Sequence, residues 1–204
     1  MYKGAISVRL KVCSGFRIGT ASGARGIHLP TFVEEEYAGD HHDVIALGAA
    51  IKGLMRKCIA RFISHTGLKE LLKIEESLFG TRIDDVREGS GPVLEGKIYV
   101  RVKGVKGFRK NSRPSLKINP ITQTAERGAL FNYEFLEVEN PEKAFLEFDI
   151  VPKLPLSEDE VALLLVGVNS LLYESIGGFG SRGLGIIEGV EAVSYTHLRA
   201  HATE

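Results

Sequence analysis

The stretch Lys3-Gly-Ala-Ile-Ser-Val-Arg-Leu-Lys-Val-Cys13 alternates apolar and polar side chains. Its apolar side chains share one face of an extended chain: Ile6, Val8, Leu10 and Val12. A period of two indicates a strand with one face buried and the other in water. The chain therefore opens with a strand of a sheet that is covered on one side only.

A helical period replaces the strand period between Leu47 and His65. The apolar stripe of this predicted helix consists of Ile51, Leu54, Met55, Cys58, Ile59, Phe62 and Ile63. Its opposite side is basic and carries Lys52, Arg56, Lys57 and Arg61. We expect a core helix with a solvated basic face, and a phosphate-binding face is the alternative. A second helix is predicted from about Leu68 to Phe79, ending at Gly80.

The rest of the chain supplies more strands and one further helix. Strands are predicted at Lys97–Lys103, Phe131–Leu136, Ala144–Val151 and Ile186–Val193. Ser157-Glu-Asp-Glu160 is a capping box that begins an apolar helix running to about Ser175. This order fits an α+β, ferredoxin-like sandwich with long insertions, the plan of the RNA-recognition motif.

We expect a single domain over residues 1–193, with insertions at about 14–46 and 103–130. Residues 194–204 lose the preceding periodicity, and we expect them to be a non-native tail. Cys13 and Cys58 are too few for a disulfide framework, and both are predicted to be buried free thiols. No run of residues approaches membrane-spanning length, so we expect a cytoplasmic protein without a membrane partner.

Charge is balanced overall but segregated along the chain. The formal net charge is +0, yet the segment Gly96–Ala125 contains eight Lys or Arg and no acid. Those cations are Lys97, Arg101, Lys103, Lys106, Arg109, Lys110, Arg113 and Lys117. The segment Phe131–Glu160 reverses the balance, with nine acids against two lysines. A concentrated basic segment in a neutral protein is consistent with a local polyanion site.

Five glycines and one arginine mark the stretch Gly177-Gly-Phe-Gly-Ser-Arg-Gly-Leu-Gly185. Glycines allow positive φ angles and close approach to another molecule, and the Arg182 guanidinium suits a phosphate. The stretch is neither a Walker A loop nor a dinucleotide fingerprint. A glycine helix stop followed by a tight turn is the equally weighted alternative.

Four segments, taken together, resemble a known family. They are Ala46–Arg56, which resembles a Gly-Ser-Ser-Leu-Lys-Gly-x-Leu-Arg helix start; Ser77–Gly80, which resembles a Leu-Phe-Gly turn; Leu116–Phe131, which resembles a Lys-Ile-Asp-Arg-x-Thr-Gly-x-Ala segment; and Gly177–Gly185, which resembles a Ser-Arg-Gly-x-Gly loop. In this order they resemble a type III CRISPR effector backbone subunit of the repeat-associated mysterious protein (RAMP) superfamily.

The resemblance implies assembly on RNA. Such subunits stack as a filament along a CRISPR RNA with other effector subunits, and a thumb hairpin interrupts guide–target pairing at intervals. The best thumb candidate is the insertion from Val102 to Leu130. The residues expected to contact RNA are Lys52, Arg56, Arg109, Lys110, Arg113, Lys117, Gly178, Ser181, Arg182 and Gly183. Contacts of this kind bind the RNA backbone with little sequence specificity.

One position departs from the family pattern. Relatives that cut target RNA carry an Asp in a Gly-x-Ile/Val-Asp-x-Pro stretch, and the matching stretch here is Gly26-Ile-His-Leu-Pro30. His28 therefore stands at the catalytic position, and imidazole is a poor magnesium ligand although it can act as a general base. We favour a subunit that does not cut, and a target-RNA endoribonuclease is the alternative. No cofactor is expected, apart from a divalent metal ion if the protein is a nuclease.

Two further segments contain residue types that bind ligands in other proteins. Asp40-His-His-Asp43 contains metal-ligand residue types, but adjacent residues seldom converge on one ion, so a solvated loop is favoured over a metal site. A small-ligand phosphate binder that uses only Gly177–Gly185 is the weakest functional hypothesis, because such a pocket has no need of eight cations along the Gly96–Ala125 segment.

Overall fold

The computed structural model describes residues 1–19, 41–82 and 93–194, except for the side chains of residues 41–46, 193 and 194. The strands are β1 (Ile6–Val12), β2 (Ile98–Lys106), β3 (Phe108–Ile118), β4 (Ala125–Val138), β5 (Phe145–Pro152) and β6 (Ile187–Ser194). The helices are α1 (His41–Thr66), α2 (Leu71–Phe79) and α3 (Glu158–Ser170). Short 3₁₀ turns follow at Leu171–Tyr173 and Gly180–Arg182.

Four strands form an antiparallel sheet in the order β2-β5-β1-β6. With the hairpin β3–β4 set aside, the chain runs strand, helices, two strands, helix and strand, and the first strand lies between the third and the fourth. That is the ferredoxin-like arrangement expected from the sequence. The structure is thus an α+β fold with the hairpin as an addition to a ferredoxin-like core.

The core lies between this sheet and the helices. The predicted apolar face of β1 is confirmed, because Ile6, Val8, Leu10 and Val12 are at most 2% exposed. The apolar stripe of α1 packs against that face through fully buried Ile51, Met55 and Ile59. Burial of such side chains contributes about 1.5–3 kcal/mol each to folding. The capping box is also confirmed, since the Ser157 hydroxyl accepts from the Glu160 N–H at 3.2 Å and the Glu160 carboxylate accepts from the Ser157 N–H at 2.9 Å.

The hairpin β3–β4 forms a two-stranded sheet separate from the main one. The chain leaves the main sheet at Gly107, whose φ of +78° favours glycine and whose carbonyl accepts the N–H groups of Glu139 and Asn140 as the chain returns. Backbone hydrogen bonds of 2.9 and 2.8 Å between Phe16 and Leu136 tie the base of the hairpin to the segment after β1. The hairpin thus includes the predicted strand Phe131–Leu136, which is the second half of β4.

Three expectations are corrected. Cys13 is exposed, because it continues the polar, odd-numbered side of β1, whereas Cys58 is buried as expected. The helix predicted to reach about Ser175 ends at Ser170. Residues 41–43, expected in a loop, belong to the first turn of α1, and Asp40 lies outside the described residues.

Within the described part of the chain, none of the helices combines the length and the apolar character that a membrane crossing requires.

Candidate nucleic-acid interface

The glycine-rich loop, defined as residues Gly177–Gly185, is a folded structure in its own right. Gly177, Gly183 and Gly185 have φ angles of +76°, +81° and +77°. A Cβ atom at Gly177 would lie 2.0 Å from the Arg17 carbonyl oxygen, and one at Gly185 would lie 2.1 Å from that of Ile176. Close backbone approach therefore accounts for these two glycines. Of the alternative interpretation, the helix stop is wrong, because α3 has already ended at Ser170, whereas the tight turn before the last strand is present at Gly180–Arg182.

Three consecutive backbone N–H groups of the loop have no acceptor among the described residues. The N–H groups of Gly178, Arg182, Gly183 and Gly185 donate to carbonyls within the chain. By contrast, the described residues offer no acceptor to the consecutive N–H groups of Phe179, Gly180 and Ser181. Successive N–H groups in a turn of mixed handedness form a concave surface that suits an anion. The loop can therefore bind a phosphate through its backbone.

Arg182 stands next to these donors and is exposed. Its guanidinium carbon lies 4.7 Å from the centre of the Phe179 ring, and its Nη1 is 3.4 Å from the hydroxyl of Ser115 on β3. No carboxylate among the described residues pairs with it. A phosphate that binds Arg182 therefore does not have to displace a carboxylate of the described residues.

Phe179 joins the loop to the hairpin. Its ring meets that of Tyr133 on β4 edge-on, with centroids 4.9 Å apart and planes at 67°. The Arg17 guanidinium carbon lies 5.5 Å from the same Phe179 ring. Phe179 has a φ of +67°, a conformation that costs a bulky residue about 1–3 kcal/mol. Sequence reasoning missed the roles of Arg17, Tyr133 and Phe179, because these contacts join segments that are distant along the chain.

Seven of the eight cations in the basic segment form ion pairs with acids that follow in the chain, and Lys106 instead contacts the Phe145 ring. In the antiparallel hairpin, β3 cations lie beside β4 acids: Arg109 and Arg113 pair with Glu137, Lys110 with Glu134, and Lys117 with Glu126. Hydrogen bonds from Asn111 and Arg109 lower the pKa of Glu137 below its ordinary value. The sequence suggested a free basic surface that could bind a polyanion. That surface is not present as such, since the two charged segments pair with each other.

These hairpin pairs are nevertheless open to exchange. The side chains of Arg109, Lys110, Arg113 and Lys117 keep 61%, 45%, 56% and 68% of their surface exposed. Exposed ion pairs contribute only about 0–1 kcal/mol each, so a phosphate can replace the carboxylates of Glu126 and Glu137 at small cost, whereas Glu134, the partner of Lys110, is buried. The four cations lie along one ribbon whose middle contacts the glycine-rich loop, and their role in RNA binding remains a proposal.

The sheet face away from the helices is also ion-paired. Arg101 and Lys103 contact Asp149 at 2.9 and 3.3 Å, and the Ser7 hydroxyl donates to the same carboxylate at 2.6 Å. Burial alone raises the pKa of Asp149, but these hydrogen bonds lower it below its ordinary value. RNA-recognition motifs bind bases on stacked aromatic side chains at the corresponding face. Here ion pairs occupy the middle of that face, while the aromatic side chains on it, Tyr99 and Phe145, lie towards its two ends, and Arg9 and Lys106 contact the Phe145 ring.

Lys52 and Arg56 do not lie on a solvated face, which corrects the expectation for α1. The Lys52 ammonium donates to the Ile98 carbonyl at 2.9 Å, and partial burial lowers its pKa. Arg56 forms an ion pair with Glu75 and donates to the Gly80 carbonyl at 2.7 Å. Both cations thus link α1 to neighbouring elements, because the sheet and α2 pack against the side of α1 that carries them.

The α1 cation that lies beside the loop is instead Lys57. It helps to line a groove of about 300 Å³ between α1 and the start of the glycine-rich loop, together with Gly53, Ser175 and Gly177. Its ammonium pairs with Glu174 at 3.1 Å and remains largely exposed. His28 lies outside the described residues. Within residues 1–19, 41–82 and 93–194, no three His, Cys, Asp or Glu side chains are grouped in a way that could hold a metal ion.

Comparison with known proteins agrees with this arrangement. The family model of the RAMP superfamily matches residues 9–188. A search of curated proteins gave no match. Since the matched span includes most of the chain and all four motif segments, the chain belongs to the RAMP superfamily of CRISPR-associated proteins. Membership implies a CRISPR RNA-binding role within an effector complex.

Proposed function

We propose that this protein is the backbone subunit of a type III CRISPR interference complex, which stacks with copies of itself and other effector subunits along a CRISPR RNA and positions the target RNA. Family membership supports the CRISPR RNA as ligand. The observation that carries the proposal is the glycine-rich loop, where three unused N–H groups stand beside Arg182. Such donors bind phosphates without regard to base, as a subunit that tracks a guide of any sequence requires.

The hairpin extends this site away from the core. Its middle contacts the loop through the Phe179–Tyr133 and Arg182–Ser115 contacts, so an RNA strand bound at the loop passes beside β3 and β4. The exposed cations of the hairpin then provide weaker, exchangeable phosphate contacts along its length. A hairpin that projects beside a bound strand suits the thumb role that separates segments of guide–target duplex.

Target cleavage is the alternative activity of the same scaffold. It requires a group that positions a 2′-hydroxyl near the scissile phosphate and stabilises developing charge, commonly with a divalent ion. His28 supplies no hard anionic oxygen for that ion. We therefore propose a subunit that binds target RNA and leaves it intact.

The test is RNA binding as a function of salt. The protein with its partner subunits should bind unrelated single-stranded guide RNAs of equal length alike, with affinity that falls steeply as salt rises. Arg182→Ala should weaken binding about tenfold, the equivalent of one charge-assisted hydrogen bond. Lys73→Ala removes one exposed charge from α2 and is the matched control that should bind as the unmodified protein does. Absence of RNA binding at low salt would refute the proposal.

A further inference from the structure

Phe179 occupies a backbone conformation that its neighbours could adopt without strain. Its φ is +67°, while Gly178 and Gly180 flank it within a loop of five glycines. A bulky residue at positive φ persists only where other contacts require it. The required feature is therefore the ring itself, since the backbone would be better served by a sixth glycine.

The Phe179 ring is held by Tyr133 on β4 and in turn contacts the guanidinium of Arg182. Tyr133, which is 9% exposed on β4, fixes the Phe179 ring edge-on at 4.9 Å. The Arg182 guanidinium carbon then lies 4.7 Å from the ring centre, within the range of a cation–π interaction. The Phe179 carbonyl also accepts the Arg182 N–H at 2.8 Å, so one residue sets both the backbone and the side chain of Arg182.

Nothing else described orders the guanidinium to the same degree. Its other polar contact is a 3.4 Å hydrogen bond to the Ser115 hydroxyl, which is long, and no described carboxylate pairs with it. An exposed arginine without such support loses much side-chain freedom when it binds a phosphate. A ring that holds the guanidinium beforehand removes part of that cost.

We infer that Phe179 is a positioning residue for the phosphate contact of Arg182: the Tyr133–Phe179 pair holds the guanidinium beside the free N–H groups of the loop. The inference rests on the proposed function, because it concerns how the loop binds RNA. It also explains why the loop lies against the hairpin, since the hairpin supplies the residue that fixes the ring.

The experiment is a double-mutant cycle on affinity for single-stranded oligouridine, measured with the full chain in its assembly. Phe179→Leu keeps the apolar volume and the backbone strain but removes the aromatic face, and it should weaken binding about two- to fivefold. Phe179→Tyr keeps the face and should bind as the unmodified protein does. In an Arg182→Ala background, Phe179→Leu should have less than half of its effect, because the side chain that the ring positions is gone.

The outcomes separate the two claims. Equal losses from Phe179→Leu with and without Arg182, or a loss in Phe179→Tyr as large as that in Phe179→Leu, would overturn the positioning role and leave the proposed function standing. Failure of the unmodified assembly to bind RNA would overturn the proposed function and the positioning role with it. Thermal unfolding of each variant identifies a loss of binding that comes from unfolding, and such a loss without coupling to Arg182 also counts against the role.

Discussion

Replacement of Arg56 by Ala should destabilise the fold rather than only weaken RNA binding. Arg56 contacts Glu75, which is 2% exposed, and the Gly80 carbonyl that ends α2. The variant leaves the Glu75 carboxylate with Arg82 as its remaining ion-pair partner, at 3.0 Å, and leaves the Gly80 carbonyl without this donor. The perturbation therefore acts on the packing of α2 against α1.

The magnitude follows from these contacts. Removal of one partner from a buried ion pair costs about 3–5 kcal/mol, and the surviving bond from half-exposed Arg82 reduces this cost to about 2 kcal/mol. The lost hydrogen bond at Gly80 adds about 1 kcal/mol. A total of about 3 kcal/mol corresponds to a fall in Tm of about 6–12 °C for a chain of this size.

The assay is thermal and urea unfolding of the RNA-free protein. Arg182→Ala makes the same chemical change at an exposed position and is the matched control, with an expected change within about 0.5 kcal/mol. A free energy of unfolding for Arg56→Ala within 0.5 kcal/mol of the unmodified protein would refute the argument. It would restore the solvated basic face and Arg56 as a direct RNA contact.

Three further outcomes are expected. Asp149→Asn should lower the free energy of unfolding by about 1–2 kcal/mol at pH 7. Because the folded pKa of Asp149 lies below its ordinary value of 3.8, the carboxylate stabilises the fold above that pH and loses this effect as the pH falls below it. Urea titrations should therefore show the difference in unfolding free energy between variant and unmodified protein shrinking below pH 3.8, and a constant difference down to about pH 2 would contradict the assignment. Gly177→Ala, whose Cβ would lie 2.0 Å from a carbonyl oxygen, should lower Tm several times more than Gly183→Ala, which has open space and only a positive φ, and equal shifts would be the contrary result. The unmodified assembly should bind complementary RNA without cutting it in magnesium or manganese, and His28→Asp should restore periodic cuts; metal-dependent cleavage that disappears in His28→Ala would show that the histidine is catalytic.

Local patterns were sufficient to predict the layers of the fold. The alternation of β1 and the capping box at Ser157 each report on a single element, and both predictions are confirmed. The prediction that Lys52 and Arg56 are exposed is wrong because it also used the pattern of a single element. A helical stripe shows which side faces the main core, but it does not show whether a second helix or a sheet edge packs against the opposite side.

The charge pattern shows the same limit more sharply. The eight cations of Gly96–Ala125 suggest a basic surface that binds a polyanion. That inference treats the acids that follow in the sequence as a separate region. Antiparallel pairing of β3 with β4 and of β2 with β5 brings the two regions together. Strand partners are long-range properties, so the cancellation could be seen only after the sheet topology was known.

This cancellation changes how RNA binding should depend on charge. A hairpin cation that exchanges a carboxylate for a phosphate loses one anionic partner as it gains another, so its net contribution is small. Among the described residues, no carboxylate pairs with Arg182 and no acceptor binds the neighbouring N–H groups. For single-stranded RNA each phosphate neutralised contributes about 0.7 to the slope of log K against log salt. Removal of Arg182 should therefore reduce that slope more than removal of any one paired hairpin cation does, the result expected if the glycine-rich loop is the main electrostatic contact of the proposed site.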